Sequence, residues 1–553
     1  MDGYKLIKDP IYGYIKIQND LVKNIIDTNI FQRLRRIIQT SYAPLYPSST
    51  HNRFAHSLGV YYLGEIASKT ILSSLQEKFP GEDWERKRVV FCLACLLHDV
   101  GHAPFSHTGE EYFLDTSLNI NKKIKRYEKI HERLVTAIGA EDFSKDIPAE
   151  SGAAAPHEIM SAIVGLNNFS GFFKSEEEKE FFARCITGYK YSDDFEIKSA
   201  YNCFISLLNS KVIDVDRLDY LIRDAYFTGF ETINIDYIRL LNSLTIVERK
   251  VTVDDAEKIK YEIGYNKNAI SIIENVVYAH DAERKWIQTH PAILYDAYII
   301  QHIINKLDRN MHDKGVTLFS EKTLSPNGVE LPDGGRLSLL CDDDIIYLLK
   351  NQLNDELSNE FFARNTRRHP LWKSEAEYKA YLVQRYGKGQ VFDKLKRAFD
   401  ETENYLRKYS DGWIINDDVI KKVEAELEKI KNDQSSGVDD LSRKKQLETK
   451  TDIQKLMNCM NKYTTKVDCK CNFVLLKASQ FESGFNKRDF DKIPIVFKKE
   501  SGENVFNFID VVSTLNSKRD RSEQDFFYLY FKDENDGNFN KEDFFNELYQ
   551  TFM

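Results

Sequence analysis

Between about residues 55 and 310, apolar side chains recur every three or four positions, as in Leu58, Tyr61, Tyr62 and Ile66. That spacing lines one face of an α-helix, so helices are expected to dominate this stretch. Ahead of it, residues 4 to 15 read as a short strand or loop and a helix is expected from Asp20. Asp27-Thr28 offers an N-cap before Phe31-Gln32-Arg33-Leu34-Arg35. Residues 111–156 break the helical period with Asn121-Lys122-Lys123-Ile124-Lys125-Arg126 and an Ala/Gly/Ser segment ending at Pro156, which predicts an insertion. Pro326-Asn327-Gly328 and Pro332-Asp333-Gly334-Gly335 are turn signals that mark a lobe boundary within 313–337. From 419 to about 457 the chain is rich in Glu, Lys and Leu with a break at Ser435-Ser436-Gly437, which predicts two exposed helices or a helical hairpin. Past residue 466 the pattern changes to short β-prone runs at 472–476, 493–497 and 526–531, so a small sheet is expected in a C-terminal lobe. The expected division is a core over 1–312 with an insertion at about 111–156, a helical extension over 313–418, and a lobe of helices and a small β-sheet over 419–553.

Composition sharpens this picture. The 553 residues include only 25 Gly and 12 Pro, well below the usual combined share of about 12%. Turn-dense sandwiches, propellers and collagen-like repeats are therefore excluded in favour of a mainly α fold. With 42% apolar and 29% charged residues of both signs, the chain has enough apolar surface to fold. Lys and Arg number 77 against 86 Asp and Glu, a net charge of −9, which disfavours general tight binding to nucleic acid. The longest apolar run covers only nine residues, 89–97, against the roughly 20 needed to span a bilayer. No cationic segment followed by an apolar one opens the chain, so an intracellular, cytoplasmic protein is expected. The eight Cys, at 92, 95, 185, 203, 341, 459, 469 and 471, follow no disulfide spacing. Cys92 and Cys95 lie within the apolar run, which makes them core residues rather than zinc ligands.

Candidate chemistry concentrates on histidine. Seven of the twelve His precede residue 160, at 51, 56, 98, 102, 107, 131 and 157. The apolar helix over 89–97 delivers His98-Asp99 at its end, where Gly101 and Pro104 stop it. An imidazole and a carboxylate there can turn onto one divalent ion such as Fe, Mn or Zn. His56 opens another helix, with Arg53 three residues earlier on the same face. Asp216, Tyr220 and Asp224 follow at i, i+4 and i+8, one polar stripe on a helix.

The order His56, His98-Asp99, Asp216 resembles the metal quartet of the HD-domain superfamily. The wider wording is similar to its dNTP triphosphohydrolase branch, the family of SAM and HD domain-containing enzymes and bacterial dGTPases, with no SAM domain ahead of the core. The resemblance runs from Lys5-Leu6-Ile7-Lys8-Asp9-Pro10-Ile11-Tyr12-Gly13 through Gln32-Arg33-Leu34-Arg35 to the stripe at 216–224. It continues more loosely through Leu337-Ser338-Leu339-Leu340-Cys341-Asp342-Asp343-Asp344 and Arg367-Arg368-His369-Pro370-Leu371.

The resemblance implies an HD-domain helical core with a small α+β C-terminal lobe and the following roles. His56, His98, Asp99 and Asp216 would hold one divalent ion, Fe, Mn, Zn or Mg, with further Mg carried by the nucleotide. Arg53 and Arg217, the latter where many relatives have Lys, would neutralise phosphate oxygens. His102 and His107 would lie along the phosphates, one imidazole protonating the leaving 5′-oxygen. Glu110 occupies the place of a family Asp that orients a catalytic imidazole, and its arm is longer. A further active-site His is expected, and the wording His157-Glu158-Ile159-Met160-Ser161 fits better than His131-Glu132. Gln39, Tyr220 and Asp224 match positions that contact the sugar, which implies deoxyribose preference. The family Arg for the terminal phosphates is replaced by His280, with Arg284 and Lys285 one turn later as possible substitutes. Asp27, Gln32 and Arg35 match an allosteric guanine-nucleotide site at a subunit interface, beside which Lys8 replaces an Asn.

These matches imply a metal-dependent dNTP triphosphohydrolase yielding deoxynucleoside and tripolyphosphate. GTP or a dNTP would activate it, a homotetramer or other dimer-based assembly would be its form, and control of dNTP pools or depletion of dNTPs against phage would be its role. The competing readings are an HD phosphodiesterase or nuclease, for which Lys122, Lys123, Lys125 and Arg126 would supply a basic track, and a nucleotide-sensing protein with a degenerate site.

Overall fold

Alternation in the first eighteen residues produces a hairpin rather than a lone strand or loop. β1 (Tyr4–Asp9) and β2 (Gly13–Gln18) pair antiparallel with Asp9 opposite Gly13. Gly13 takes φ 77°, a conformation that favours glycine. Asp9 closes the turn by accepting the N–H groups of Ile11 and Tyr12 at 2.9 and 3.0 Å. Tyr12, Ile15 and Ile17 are buried. The helix expected from Asp20 is a single turn, Asn19–Leu21, running into a π-helical turn, Val22–Ile26. Thr28 caps the next helix through the N–H of Phe31.

The structure is a computed structural model that describes residues 3–40, 45–114, 123–149, 152–230, 234–253, 256–353, 356–384, 390–409, 414–432, 440–465, 473–478, 490, 492–499, 502–512, 526–532 and 539–553. The break expected at 435–437, Lys122 and Asn472 lie outside the described residues. The chain divides into two compact units. One comprises Met1–Arg284, Ile303–Leu353 and Glu482–Arg519, and the other Lys285–His302, Asn354–Phe481 and Asp520–Met553.

The first unit carries the helical core: α1 (Arg53–Lys78), α2 (Trp84–Leu97), α3 (Lys123–Ile138), α4 (Pro156–Asn168), α5 (Glu176–Thr187), α6 (Glu196–Leu208) and α7 (Val215–Thr228). Asn52 and Asp83 cap α1 and α2 by accepting the N–H groups of Ala55 and Arg86. Both helices are apolar around most of their circumference because other helices cover them. They approach closely at Gly64, where a Cβ would stand 2.5 Å from Cys95 Sγ. Trp84, Phe91, Phe181 and Phe204 fill the space between α2, α5 and α6. The interrupted stretch at 111–156 includes α3 and a 3₁₀ turn, Glu141–Asp146.

One element departs from the helical expectation. β3 (Leu244–Val253) and β4 (Ala256–Asn266) form a long antiparallel hairpin within the stretch where helices were expected. Its local sequence, Lys258-Ile259-Lys260-Tyr261-Glu262-Ile263, has period two, which the surrounding three-to-four spacing obscures. β5 (Pro494–Lys499) pairs with β4 in parallel, and β6 (Gly502–Asn507) completes the order β6-β5-β4-β3. The β-prone runs therefore do not share one sheet. Val474–Ala478 and Phe526–Phe531 pair instead with His369–Pro370 in the second unit. That unit also holds the helices Gln390–Tyr409, Asp417–Asn432 and Asp440–Thr465. The molecule is mainly α with smaller α+β regions.

Candidate active site

The apolar face of α2 drives that helix into the core and leaves His98 and Asp99 at its buried C-terminal end. His56 lies in the first turn of α1 and Asp216 in the first turn of α7, whose N-cap Asp214 accepts the N–H of Arg217 at 2.7 Å. Three helix termini so converge. His56 Nε2 stands 2.9 Å from Asp216 Oδ1, 3.2 Å from His98 Nε2 and 3.6 Å from Asp99 Oδ2. His98 Nε2 is 3.5 Å from Asp99 Oδ2 and 3.6 Å from Asp216 Oδ1. Donor atoms bound at about 2.1 Å to a common ion lie about 3–3.5 Å apart in tetrahedral or octahedral arrangements. His56, His98 and Asp99 therefore offer ligand atoms close enough to share one divalent cation, with Asp216 Oδ1 against both imidazoles. The second ring nitrogens are already committed, His98 Nδ1 to Cys95 O at 2.9 Å and His56 Nδ1 to Asp219 Oδ2 at 2.7 Å, which turns both Nε2 atoms inward.

Electrostatics reflects this crowding. Burial opposes charge on His56, yet Asp216 and Asp219 outweigh it and raise the imidazole to about 9. Burial likewise opposes ionisation of Asp99 and Asp216, but Arg53 with the two histidines for Asp99, and His56 with His98 for Asp216, hold both carboxylates below their usual range.

Next to the metal-type cluster stands a second one. His102 stacks on His157 with ring centroids 4.2 Å apart, and His107 meets them edge-on at 5.2 and 5.1 Å. Glu110 Oε2 accepts from His157 Nδ1, and Glu110 Oε1 lies 3.4 Å from His107 Nδ1. The longer side chain thus reaches both rings. Burial disfavours charge on His157, but Glu110 lifts it to about 9, while Glu110 itself is held well below the carboxylate range by the same partner against its own burial. His102 is pushed well below 6.5 by burial and by the nearby Arg53 and His157, and both its ring nitrogens are buried without a hydrogen bond. His107 is the exposed member, its side chain 65% accessible.

Arg53 ties the clusters together. It donates to Asp99 Oδ2 at 2.8 Å, Ser106 Oγ at 2.9 Å and Gln39 O at 3.2 Å, and its Nη2 lies 3.4 Å from His107 Nε2. The turn between Asp99 and His107 is held in a costly shape, with Phe105 at φ 56° and Ser106 at φ 54°. Left-handed non-glycine residues cost of order 1–3 kcal/mol each. Asp342 holds the turn by accepting the N–H groups of Phe105 at 2.7 Å and Ile38 at 2.9 Å, while Ser106 Oγ donates to Ile38 O.

The other residues singled out from the sequence are distributed as follows. His131 is not with the histidine cluster, its Nε2 lying 2.8 Å from Tyr189 Oη. Gln39 and Asp224 are buried near each other through His51, which bonds Asp224 Oδ1 at 2.7 Å and accepts the N–H of Gln39 on its carbonyl. Gln39 Oε1 is buried without a hydrogen bond. Arg217 donates to Val212 O and Ser210 O, so its guanidinium lies against the turn before α7. Arg284 and Lys285 open a π-helical turn, Arg284–Gln288, with Lys285 over the Trp286 ring at 4.8 Å. Gln32 and Arg35 bond each other at 2.8 Å, and exposed Asp27 stands 4.0 Å from Lys5.

Three buried groups were not singled out from the sequence: Asp219, His51 and Asp342. Asp219 had one signal, its i, i+4 spacing to Arg223, which donates to it at 2.8 and 3.0 Å. Asp342 sits in an acidic run that reads equally well as a helix start.

Comparison with known proteins places these residues in context. Residues 53–183 match the model of the HD domain. The chain is 30% identical over 272 residues to an uncharacterized protein of Mycoplasma genitalium, a match that covers 48% of this chain and 52% of that one. It is 33% identical over 252 residues to the deoxynucleoside triphosphate triphosphohydrolase SAMHD1 of Xenopus laevis, covering 44% of this chain and 37% of that one. The chain thus spans about half the length of the first relative and little more than a third of the second. A phosphohydrolase of Bacteroides thetaiotaomicron, 19% identical, shares the fold with a TM-score of 0.51 over 96% of this chain and 99% of that one. No helix among the described residues is long and apolar enough to cross a membrane.

Proposed function

From an HD domain at residues 53–183 and the two clusters around it, we propose that this protein is a metal-dependent deoxynucleoside triphosphate triphosphohydrolase. Water attacks the α-phosphorus, the bond to the 5′-oxygen breaks, and deoxynucleoside and tripolyphosphate leave. The observation that carries this reading is the pairing of a His/Asp cluster able to hold a metal with a second, histidine-rich cluster beside it, His102 Nε2 lying 3.6 Å from Asp99 Oδ1. A relative that bears the same activity in its name supports the choice of substrate.

His56, His98, Asp99 and Asp216 would hold a divalent ion, whose chemistry there would be polarisation of the α-phosphate and acidification of water. Arg53, fixed between Asp99 and His107, spreads positive charge across the two clusters where phosphate oxygens bind. His157 stays protonated through Glu110 and adds a second buried positive charge. His102, neutral and short of hydrogen bonds, offers its N–H to a phosphate oxygen. His107 is the accessible ring, and Glu110 orients it to deliver the proton to the leaving 5′-oxygen. Gln39, Tyr220 and Asp224 line the sugar end, Gln39 contributing a buried amide oxygen with no internal donor. Arg284 and Lys285 bind the terminal phosphates, and Asp27, Gln32 and Arg35 bind an activating nucleotide at a contact between copies of the chain.

The test is anion-exchange analysis after incubating purified protein with Mn²⁺ or Mg²⁺ and each dNTP, singly and as an equimolar mixture that allows one nucleotide to activate hydrolysis of another. Tripolyphosphate and deoxynucleoside, lost in Asp216→Ala, are the expected products. Absence of both under every combination, with shortening of single-stranded DNA or RNA instead, overturns the reading.

A further inference from the structure

Asp219 lies one step behind the metal-type cluster, and its surroundings reach the far end of the first unit's chain. Its Oδ2 meets His56 Nδ1 at 2.7 Å and Arg223 Nε at 2.8 Å. Its Oδ1 accepts from Arg223 Nη2 at 3.0 Å and from Tyr12 Oη at 2.7 Å. Arg223 continues to Asp9 Oδ2 at 3.0 Å, and Asp9 Oδ1 closes the β1–β2 turn on which Tyr12 sits. Tyr12, Asp9, His56, Asp219 and Arg223 are all buried.

We propose that the turn of the N-terminal hairpin, through Tyr12 and Asp219, is a positioning element of the metal centre, so that metal binding and hairpin docking are energetically linked. The proposal rests on the reading of His56, His98, Asp99 and Asp216 as metal ligands.

The physical argument has three parts. A ligating imidazole is oriented by whatever takes its other N–H, and disturbing such a partner costs about 10–100-fold in metal affinity. Asp219 takes the N–H of His56, and its orientation is fixed only while both of its oxygens are engaged. Arg223 spans the two oxygens from one side, and the Tyr12 hydroxyl holds Oδ1 from the other. The carboxylate also fits against α1 because position 59 is glycine, where a Cβ would fall 1.9 Å from Oδ1 and 2.6 Å from Arg223 Nη2. The Tyr12 ring packs on Tyr62 and Tyr237 at 5.0 and 5.2 Å, so the hairpin turn arrives with a fixed geometry. By thermodynamic reciprocity, the factor by which docking tightens metal binding is the factor by which metal favours docking.

Tyr12→Phe removes one hydroxyl and leaves that packing in place, which makes it the decisive variant. Mn²⁺ affinity of the full-length protein is measured by electron paramagnetic resonance of the free ion, and amide exchange at residues 11–13 by mass spectrometry with and without Mn²⁺. The expected results are a loss of several-fold in Mn²⁺ affinity for Tyr12→Phe and about 10–100-fold for Asp219→Asn. Mn²⁺ should slow exchange at 11–13 in the wild type and slow it less in Tyr12→Phe. Should Asp219→Asn fail to fold, Tyr12→Phe carries the test alone. Wild-type Mn²⁺ affinity and wild-type protection in Tyr12→Phe overturn the linkage while leaving the metal centre standing. A wild type whose Mn²⁺ binding does not respond to His98→Ala overturns the metal reading, and the linkage falls with it.

Discussion

At the scale of residues, the site depends on how few atoms orient many charges. Glu110 is the clearest case, one carboxylate serving two imidazoles. Because His157 is raised from 6.5 to about 9, its pairing stabilises the fold fully below pH about 6.5 and loses that contribution as pH climbs through about 9. Glu110 acts in the opposite sense, contributing above its ordinary pKa of about 4.5 and losing the contribution in acid. Glu110→Gln should lower the pKa of His157 in an NMR titration of the ring, because burial then meets less opposition, and should lower hydrolysis at least tenfold. An unchanged His157 titration would show that other groups hold its charge. The sequence pattern placed His56 and His98-Asp99 at helix ends and Asp216 on a polar helix stripe, and it was the family resemblance that joined them into one set. Asp219, whose one local signal was its spacing to Arg223, and His51 were not legible there, because each takes its role from a partner distant in sequence, His56 for Asp219 and Asp224 for His51.

At the scale of elements, the two clusters stay together because the turn after α2 packs directly on α4. Gly101 N–H donates to Ser161 Oγ at 2.9 Å, and a Cβ on Gly101 would lie 2.4 Å from the backbone N of Ser161 and 2.5 Å from the carbonyl carbon of Met160. Backbone cannot yield as a side-chain tip can. Gly101→Ala should therefore push α4 away from the turn, destabilising the protein by about 1–3 kcal/mol in urea titration and reducing hydrolysis more than Ser161→Ala does. Ser161→Ala leaves the buried Gly101 N–H without its acceptor and should cost about 1–3 kcal/mol while leaving the backbone of α4 in place. The Asp342 carboxylate clamps the strained Phe105–Ser106 turn and residue 38 at once. Its substitution by Ala should release that turn, which limited proteolysis within 103–108 would detect. None of this follows from periodicity, since a turn that closes on a distant acid has no local signature.

At the scale of the molecule, the first unit is assembled from three separated stretches of chain. Truncation after Leu353 would remove β5 and leave the edge of β4 unpaired, so such a fragment should aggregate, as size-exclusion chromatography would show. A divalent ion bound at the quartet should raise thermal stability by mass action, about 2.7 kcal/mol at a hundredfold excess over its dissociation constant. Chelation should reverse the gain and abolish hydrolysis together, and a melting temperature that ignores Mn²⁺ would speak against a metal centre. Read alone, the sequence carried the mainly α class and the helix ends at His56 and His98-Asp99, because helical spacing and capping are local, and it carried the family resemblance that adds Asp216 to them. It took the folded chain to bring His157, which the wording already favoured over His131, onto His102 and His107, to divide the β-prone runs between two sheets, and to set the N-terminal hairpin behind His56. Each of those outcomes depends on contacts between residues tens to hundreds of positions apart, where packing and charge compensation decide and local sequence preference does not reach.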